Sequence, residues 1–207
     1  MRHWLFACVW GGSWLLVAGC GSEDAALTDA QDDAAARRSA SKSGQVDELV
    51  GRAKKALRGG NHRVAVELLS QAIGNDSDNA LAFVLRADAY VRTKQFANAL
   101  ADFSSAIRIE PENARWLNSR GYFLLTRGRR RDAIKDFDAA IVLKGDYAEA
   151  HNNRGLAHVG GQDYEQAIKD FNAAIAARNM FADAWNNRGF AHFRSGDYET
   201  AIQDFNK

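Results

Sequence analysis

The side chains able to do chemistry here are thiols, imidazoles and paired carboxylates, and their placement restricts each. Cys8 and Cys20 are the two cysteines, so from residue 21 onward there is no thiol. That removes a disulfide, a thiolate metal site and a cysteine nucleophile from the body of the chain. His151 and His158 are seven residues apart, two helical turns, and His192 follows His158 by 34. Two imidazoles on one helix face are the beginning of a metal site. Equivalent positions elsewhere hold Phe83, Leu117, Trp185 and Tyr90, however, so the pattern favours packing. Asp32-Asp33 stands in a polar stretch with no scaffold to hold two carboxylates for acid–base work. There is no Gly-x4-Gly-Lys, Gly-x-Ser-x-Gly or His-Glu-x2-His. The sequence reads as a non-enzyme with no cofactor and no metal.

Charge adds a second restriction. Lys plus Arg total 27 against 26 Asp plus Glu, a net charge of +1. Nucleic-acid binding relies on concentrated positive charge to neutralise phosphates, and a balanced surface does not support it.

Met1 to Cys20 reads as a secretory leader, with Arg2 as its positive start and Trp4 to Ala18 as its apolar stretch. Those 15 residues fall short of the roughly 20 that cross a bilayer core as a helix. The stretch ends Leu16-Val17-Ala18-Gly19-Cys20, which resembles the bacterial lipobox. The resemblance implies cleavage after Gly19 and a diacylglyceryl group on the Cys20 thiol. An ordinary secretory signal is the alternative. Residues 1–19 are then the signal peptide, and 20–45 are the lipidated Cys and a flexible tether. From Gly21 the tether is rich in Ala, Ser, Asp and Gln, with Leu27 its one large apolar residue before Val46. Such a segment buries too little surface to offset its ordering entropy. As a coil it reaches about 25–30 Å.

From Val46 the sequence repeats every 34 residues: 46–79, 80–113, 114–147, 148–181 and an incomplete 182–207. Position 8 of the repeat is Ala53, Ala87, Gly121, Gly155 and Gly189, and position 20 is Ala in all five. Position 24 is Leu69, Phe103, Phe137, Phe171 and Phe205. Small residues at 8 and 20 let two helices approach closely, and the aromatic at 24 fills the gap between them. Gly60, Gly128, Gly160-Gly161 and Gly196 fall at or near the turn that joins the pair. No repeat buries its apolar face alone, so neighbours must stack. Period and landmarks together resemble the tetratricopeptide repeat. That resemblance implies an all-α, right-handed superhelical solenoid of antiparallel helix pairs. The 46–79 repeat, polar on its outer face, suits an N-terminal cap.

Position 7 is Arg in every repeat and position 23 is Asp in the last four. Both lie eight residues from the turn at 15, so they should meet across the helix pair. The expected pairs are Arg86–Asp102, Arg120–Asp136, Arg154–Asp170 and Arg188–Asp204. A row of arginines reading an anionic ligand is the alternative. Leu68 breaks the pattern opposite Arg52.

The resemblance also implies a concave groove lined by each first helix, with positions 2, 5, 6, 9, 12 and 13 facing a bound peptide. Arg115, Asn118, Tyr122, Asn152, Asn153, Asn186, Asn187 and Phe190 are the candidate contacts. Asparagine is a poor helix former, and its amide can both donate to and accept from a peptide backbone. The same amides could instead link neighbouring repeats. The family's carboxylate clamp needs a basic residue at position 5, where Val50, Val84, Asn118 and Asn152 stand. The expectation is a membrane-anchored scaffold or adaptor for protein or peptide partners, binding no nucleic acid. Its place is the bacterial cell envelope, and Gly21 rather than Asp after the lipidated Cys favours an outer membrane facing the periplasm. Two alternatives are the leading part of a larger repeat protein whose catalytic domain is missing, and a structural lipoprotein that self-associates through its open C-terminal end.

Overall fold

Position 15 of each repeat carries left-handed backbone: Gly60, Lys94, Gly128, Gln162 and Gly196, with φ between 61° and 92°. In each repeat the N–H of position 16 returns to the carbonyl of position 11, as in Asn61 to Ala56 and Arg129 to Leu124, both 2.9 Å. A left-handed residue followed by this long bond is the Schellman stop, which ends one helix and aims the chain back for the next. In the fourth repeat Gln162 takes this role, not the glycines before it, and Gly160 is right-handed at φ −63°. Register within the repeat, not residue type, decides which residue is inverted.

The computed structural model describes residues 42–207. The leader, Cys20 and most of the tether lie outside them. Residues 42–45, assigned to the tether, are helical. An added turn offers its carbonyls to the amides of residues 46–49, and Val46 is itself buried. The array belongs to the second of two units, Gly44–Lys207.

Among the described residues there are ten helices and no strand. First helices of the pairs are α1 (42–58), α3 (Ala80–Arg92), α5 (Ala114–Thr126), α7 (Ala148–Val159) and α9 (Ala182–Ser195). Second helices are α2 (His62–Asn75), α4 (Phe96–Ile109), α6 (Arg130–Leu143), α8 (Tyr164–Ala177) and α10 (Tyr198–Phe205). From α2 on, each helix packs on the next in the chain, and α7 also touches α5 and α9. This is a solenoid of helix pairs. No described helix is long and apolar enough to cross a membrane.

Close approach within a pair has a specific cause. Phe137 and Phe171 are wholly buried, and their rings lie against Gly121 and Gly155. A Cβ on those glycines would sit 2.7 and 2.6 Å from the facing ring, too close for any real contact. Ala65, Ala99, Ala133 and Ala167 at position 20 are likewise fully buried. Between pairs the seam is made by small residues at positions 3 and 10, such as Ala82, Ala150, Ala157 and Ala191. The third repeat departs from this: Trp116 and Phe123 occupy those two positions, both buried. Phe123 packs on Phe96 and Phe103, with ring centroids 6.5 and 5.6 Å away. Correspondingly, α5 makes less contact with α3 than with α7.

Candidate functional site

The position-7 arginines do not face a vacant groove. Arg86 donates through Nε and Nη2 to both oxygens of Asp102, at 2.8 and 2.9 Å. Arg120 does the same to Asp136 at 2.8 and 2.7 Å, and Arg188 to Asp204 at 2.8 and 2.6 Å. Arg154 holds Asp170 with a shortest bond of 2.6 Å. All four carboxylates are buried. A third donor, Nη1, reaches back into the preceding repeat at position 25: Ser70, Ser104, Asp138 and Asn172. Each arginine thus ties its own helix pair together and staples it to the pair before. Position 25 always carries an oxygen-bearing side chain from Ser70 to Asn172, a signal that the sequence held. Arg52, opposite Leu68, turns to Glu48 at 3.7 Å on the surface.

The asparagine strip is partly used in the same way. Asn153 Nδ2 donates to Asn118 Oδ1, and Asn187 Nδ2 to Asn152 Oδ1, each at 3.0 Å between neighbouring repeats. Asn152 is buried and Asn186 is exposed. The amides of positions 5 and 6 therefore lock first helices side by side. Beside them, position 9 presents a stripe of Asp88, Tyr122, Leu156 and Phe190. Tyr122 is 52% exposed and Phe190 41%. Arg115 lies exposed over the Trp116 ring and lines a concavity of about 910 Å³ with Glu110, Glu112, Lys144 and Glu149.

A second concavity, of about 990 Å³, opens at the turn edge of the first three repeats. It is lined by the ends of α1, α3 and α5 and the start of α4, including Tyr122, Phe96 and Phe123. Its basic residues are Arg58 and Arg92 at groove position 13 and Lys94 and Arg127 in the turns, and repeat spacing alone gives no sign that packing between repeats brings these four together. Asp88 stands on its wall with its side chain open to solvent. The protein crowding around it pushes its carboxyl up to about 6, against the pull of Arg92 and Arg115.

His151 and His158 sit at packing positions 4 and 11, around Asp170. His151 Nε2 lies 2.9 Å from the Gly145 carbonyl. His151 Nδ1 and His158 Nε2 are each 3.8 Å from the Asp170 carboxylate, an ion-pair distance and too long for a hydrogen bond. In the neutral ring Nδ1 is buried without a partner. Asp170 draws the His151 pKa upward, burial opposes this, and the Gly145 carbonyl adds to the rise. Burial would raise the Asp170 carboxyl, but His151 and Arg154 outweigh it and hold it below its ordinary value. Among the described residues no group of three His, Cys, Asp or Glu side chains is arranged to hold a metal ion.

Comparison with known proteins agrees with this architecture. Among solved structures, the chain is similar to PilF of Pseudomonas aeruginosa, with 20% identity and a TM-score of 0.74 over 80% of this chain and 76% of that one. It is similar to PilW, a type IV pilus biogenesis factor, with 24% identity and a TM-score of 0.70 over 77% and 76%. MamA from Desulfovibrio magneticus RS-1 matches with 18% identity and a TM-score of 0.68 over 78% and 92%. No curated protein sequence matches. The sequence model of the tetratricopeptide repeat matches residues 50–114, 84–148, 118–179 and 152–207, together most of the chain. Repeat period, Schellman turns and stapled helix pairs thus converge with the sequence match, and the chain belongs to the tetratricopeptide repeat family.

Proposed function

We propose that this protein is an interaction scaffold that holds partner polypeptides against the wall formed by its first helices, anchored to the bacterial envelope by a lipid on Cys20. The observation that carries the groove reading is the position-9 stripe. Tyr122 and Phe190 are exposed at the same register of α5 and α9, on a wall whose helices are locked by Asn–Asn bonds. Large exposed aromatics on a rigid surface are what binding surfaces use. The fixed wall lowers the ordering entropy lost on binding. Arg115 and Asn186 flank the stripe as polar contacts. Asn118, Asn152, Asn153 and Asn187 serve first as inter-repeat links that fix this wall.

Support for the anchor is the Leu16-Val17-Ala18-Gly19-Cys20 stretch and the absence of other cysteines after it. Lipidated repeat proteins of this kind serve as assembly factors at the envelope, and the fold likeness to a type IV pilus biogenesis factor agrees with that role. The outer membrane, facing the periplasm, is the proposed location.

Photo-crosslinking tests the groove. A benzoylphenylalanine at position 122 or 190 should capture discrete partner bands in cells, and one at Val142, 85% exposed on a second helix, should not. Equal capture from all three positions would refute the reading. Metabolic labelling with an alkyne fatty acid tests the anchor: label retained in Cys20→Ala would remove it. A second reading has its own observation. Tyr198, Ile202 and Phe205 on α10 are at least half exposed, whereas Phe137 and Phe171 are wholly buried. That face suits a second copy of the chain. Sedimentation decides this, and a monomer at high concentration would dismiss it.

A further inference from the structure

We propose that the concavity at the turn edge of the first three repeats takes an extended partner segment in which acidic residues flank one aromatic or large aliphatic side chain. This rests on the scaffold reading above and names the chemistry of the partner.

The site exists because of one local departure from the repeat. Elsewhere position 10 is alanine from the second repeat on (Ala89, Ala157, Ala191), and first helices lie close together. Phe123 in that position, with Trp116 two turns earlier on the same helix face, stands between α5 and the preceding pair. The opening has a volume of about 990 Å³, within the range of ligand pockets. Its floor is apolar: Phe123 is buried, and Val91 and Phe96 are half-buried. An aromatic or aliphatic side chain inserted there would find rings at its tip.

Its rim is cationic. Arg58, Arg92, Lys94 and Arg127 are all exposed and line the opening, against the single carboxylate of Asp88. Among the described residues none of the four is in a salt bridge, unlike the position-7 arginines, whose donors are consumed. The Arg127 guanidinium carbon lies 4.3 Å from the centroid of the Phe96 ring, a cation–π contact that holds this charge at the mouth. In a chain whose charges balance overall, this clustering is local. Low-dielectric walls around a groove of one sign focus its field and steer an oppositely charged segment inward. The other concavity, with Glu110, Glu112 and Glu149 beside Arg115 and Lys144, has mixed sign and lacks this character. Cations ringing a recess suit a peptide that inserts a side chain. A flat anionic lipid surface would reach only the rim.

The test uses the full chain with Cys20→Ser, so that no acyl group contributes lipid binding. Its probes are fluorescein-labelled peptides with one central phenylalanine among glutamates, among lysines, or replaced by serine among glutamates. By fluorescence anisotropy at low salt, the glutamate peptide should bind about tenfold or more tightly than the lysine peptide, and rising salt should narrow that gap. Loss of the phenylalanine should weaken it about tenfold. Arg92→Gln with Arg127→Gln should weaken it about fivefold, and Asp88→Asn should strengthen it about twofold. Circular dichroism verifies that these surface variants stay folded. Equal binding of the lysine peptide, or no binding of the glutamate peptide, overturns the inference. So does binding to phosphatidylglycerol vesicles that the Arg variants abolish while peptide affinity stays unchanged. Crosslinks at positions 122 and 190 that persist after such a failure would leave the scaffold reading standing, and their loss would remove both.

Discussion

Replacing Arg120 with alanine takes away two charge-assisted bonds to Asp136, at 2.8 and 2.7 Å, and one to Ser104 at 3.3 Å. It leaves the Asp136 carboxylate, with 8% side-chain exposure, in a site built for an ion pair. Removing one partner of a fully buried pair costs about 3–5 kcal/mol, because the other charge stays behind uncompensated. Arg120 is 26% exposed, so water partly screens the loss, and the lower end, about 3 kcal/mol, applies. With a urea slope of about 2 kcal/mol/M, the unfolding midpoint should fall by about 1.5 M. Far-UV circular dichroism against urea measures it. The transition should also broaden, because a weakened seam in the third repeat lets the two ends of the array unfold separately. Arg52→Ala is the control: its partner Glu48 is exposed and 3.7 Å away, and its cost should stay within about 0.5 kcal/mol. Asp136→Ala completes the cycle, and the double variant should be more stable than the sum of the singles by at least about 1 kcal/mol. If Arg120→Ala shifts the midpoint no more than Arg52→Ala does, the buried-pair reasoning is wrong.

Gly155→Ala should destabilise by about 1–2 kcal/mol despite the better helix propensity of alanine, since the new Cβ meets Phe171 at 2.6 Å. Adding Phe171→Leu, the Ala53–Leu69 combination of the first repeat, should recover most of that loss in thermal melts. Lys94→Gly and Gln162→Gly should each raise stability by about 0.5–1 kcal/mol by relieving left-handed backbone at φ 61° and 64°. Unchanged melting temperatures would show that these turns hold no strain. The raised pKa of His151 means that the folded state binds its proton more tightly than the unfolded one does. Its contribution is therefore full below about 6.5 and is lost as pH rises through the folded value. His151→Leu should flatten the decline in stability above pH 6.5, and parallel profiles for the two proteins would contradict this. Asp170 has the opposite sign. Its contribution is present above about 3.8 and is lost as acid takes it through its lowered folded value.

The 34-residue spacing by itself determined the helix pairs, the turn at position 15, the small residues facing Phe137 and Phe171, and the meeting of Arg120 with Asp136. All of these are contacts within one repeat, set by helical period and distance from the turn, so local spacing is enough to read them. Left-handed backbone at Lys94 and Gln162 was less legible, because there the register overrides residue type. Contacts between repeats had to wait for the tertiary structure. The third bond of each arginine, to Ser70, Ser104, Asp138 or Asn172, depends on how far one pair is displaced along the next. So does the use of Asn118 and Asn152 as acceptors for the repeat that follows. The recess beside Phe123 is the strongest case. Its cations come from the ends of two first helices and from two turns, brought together by the packing of one ring where neighbouring repeats carry a methyl group. No periodicity along the chain encodes that gap, because it is the difference between two interfaces.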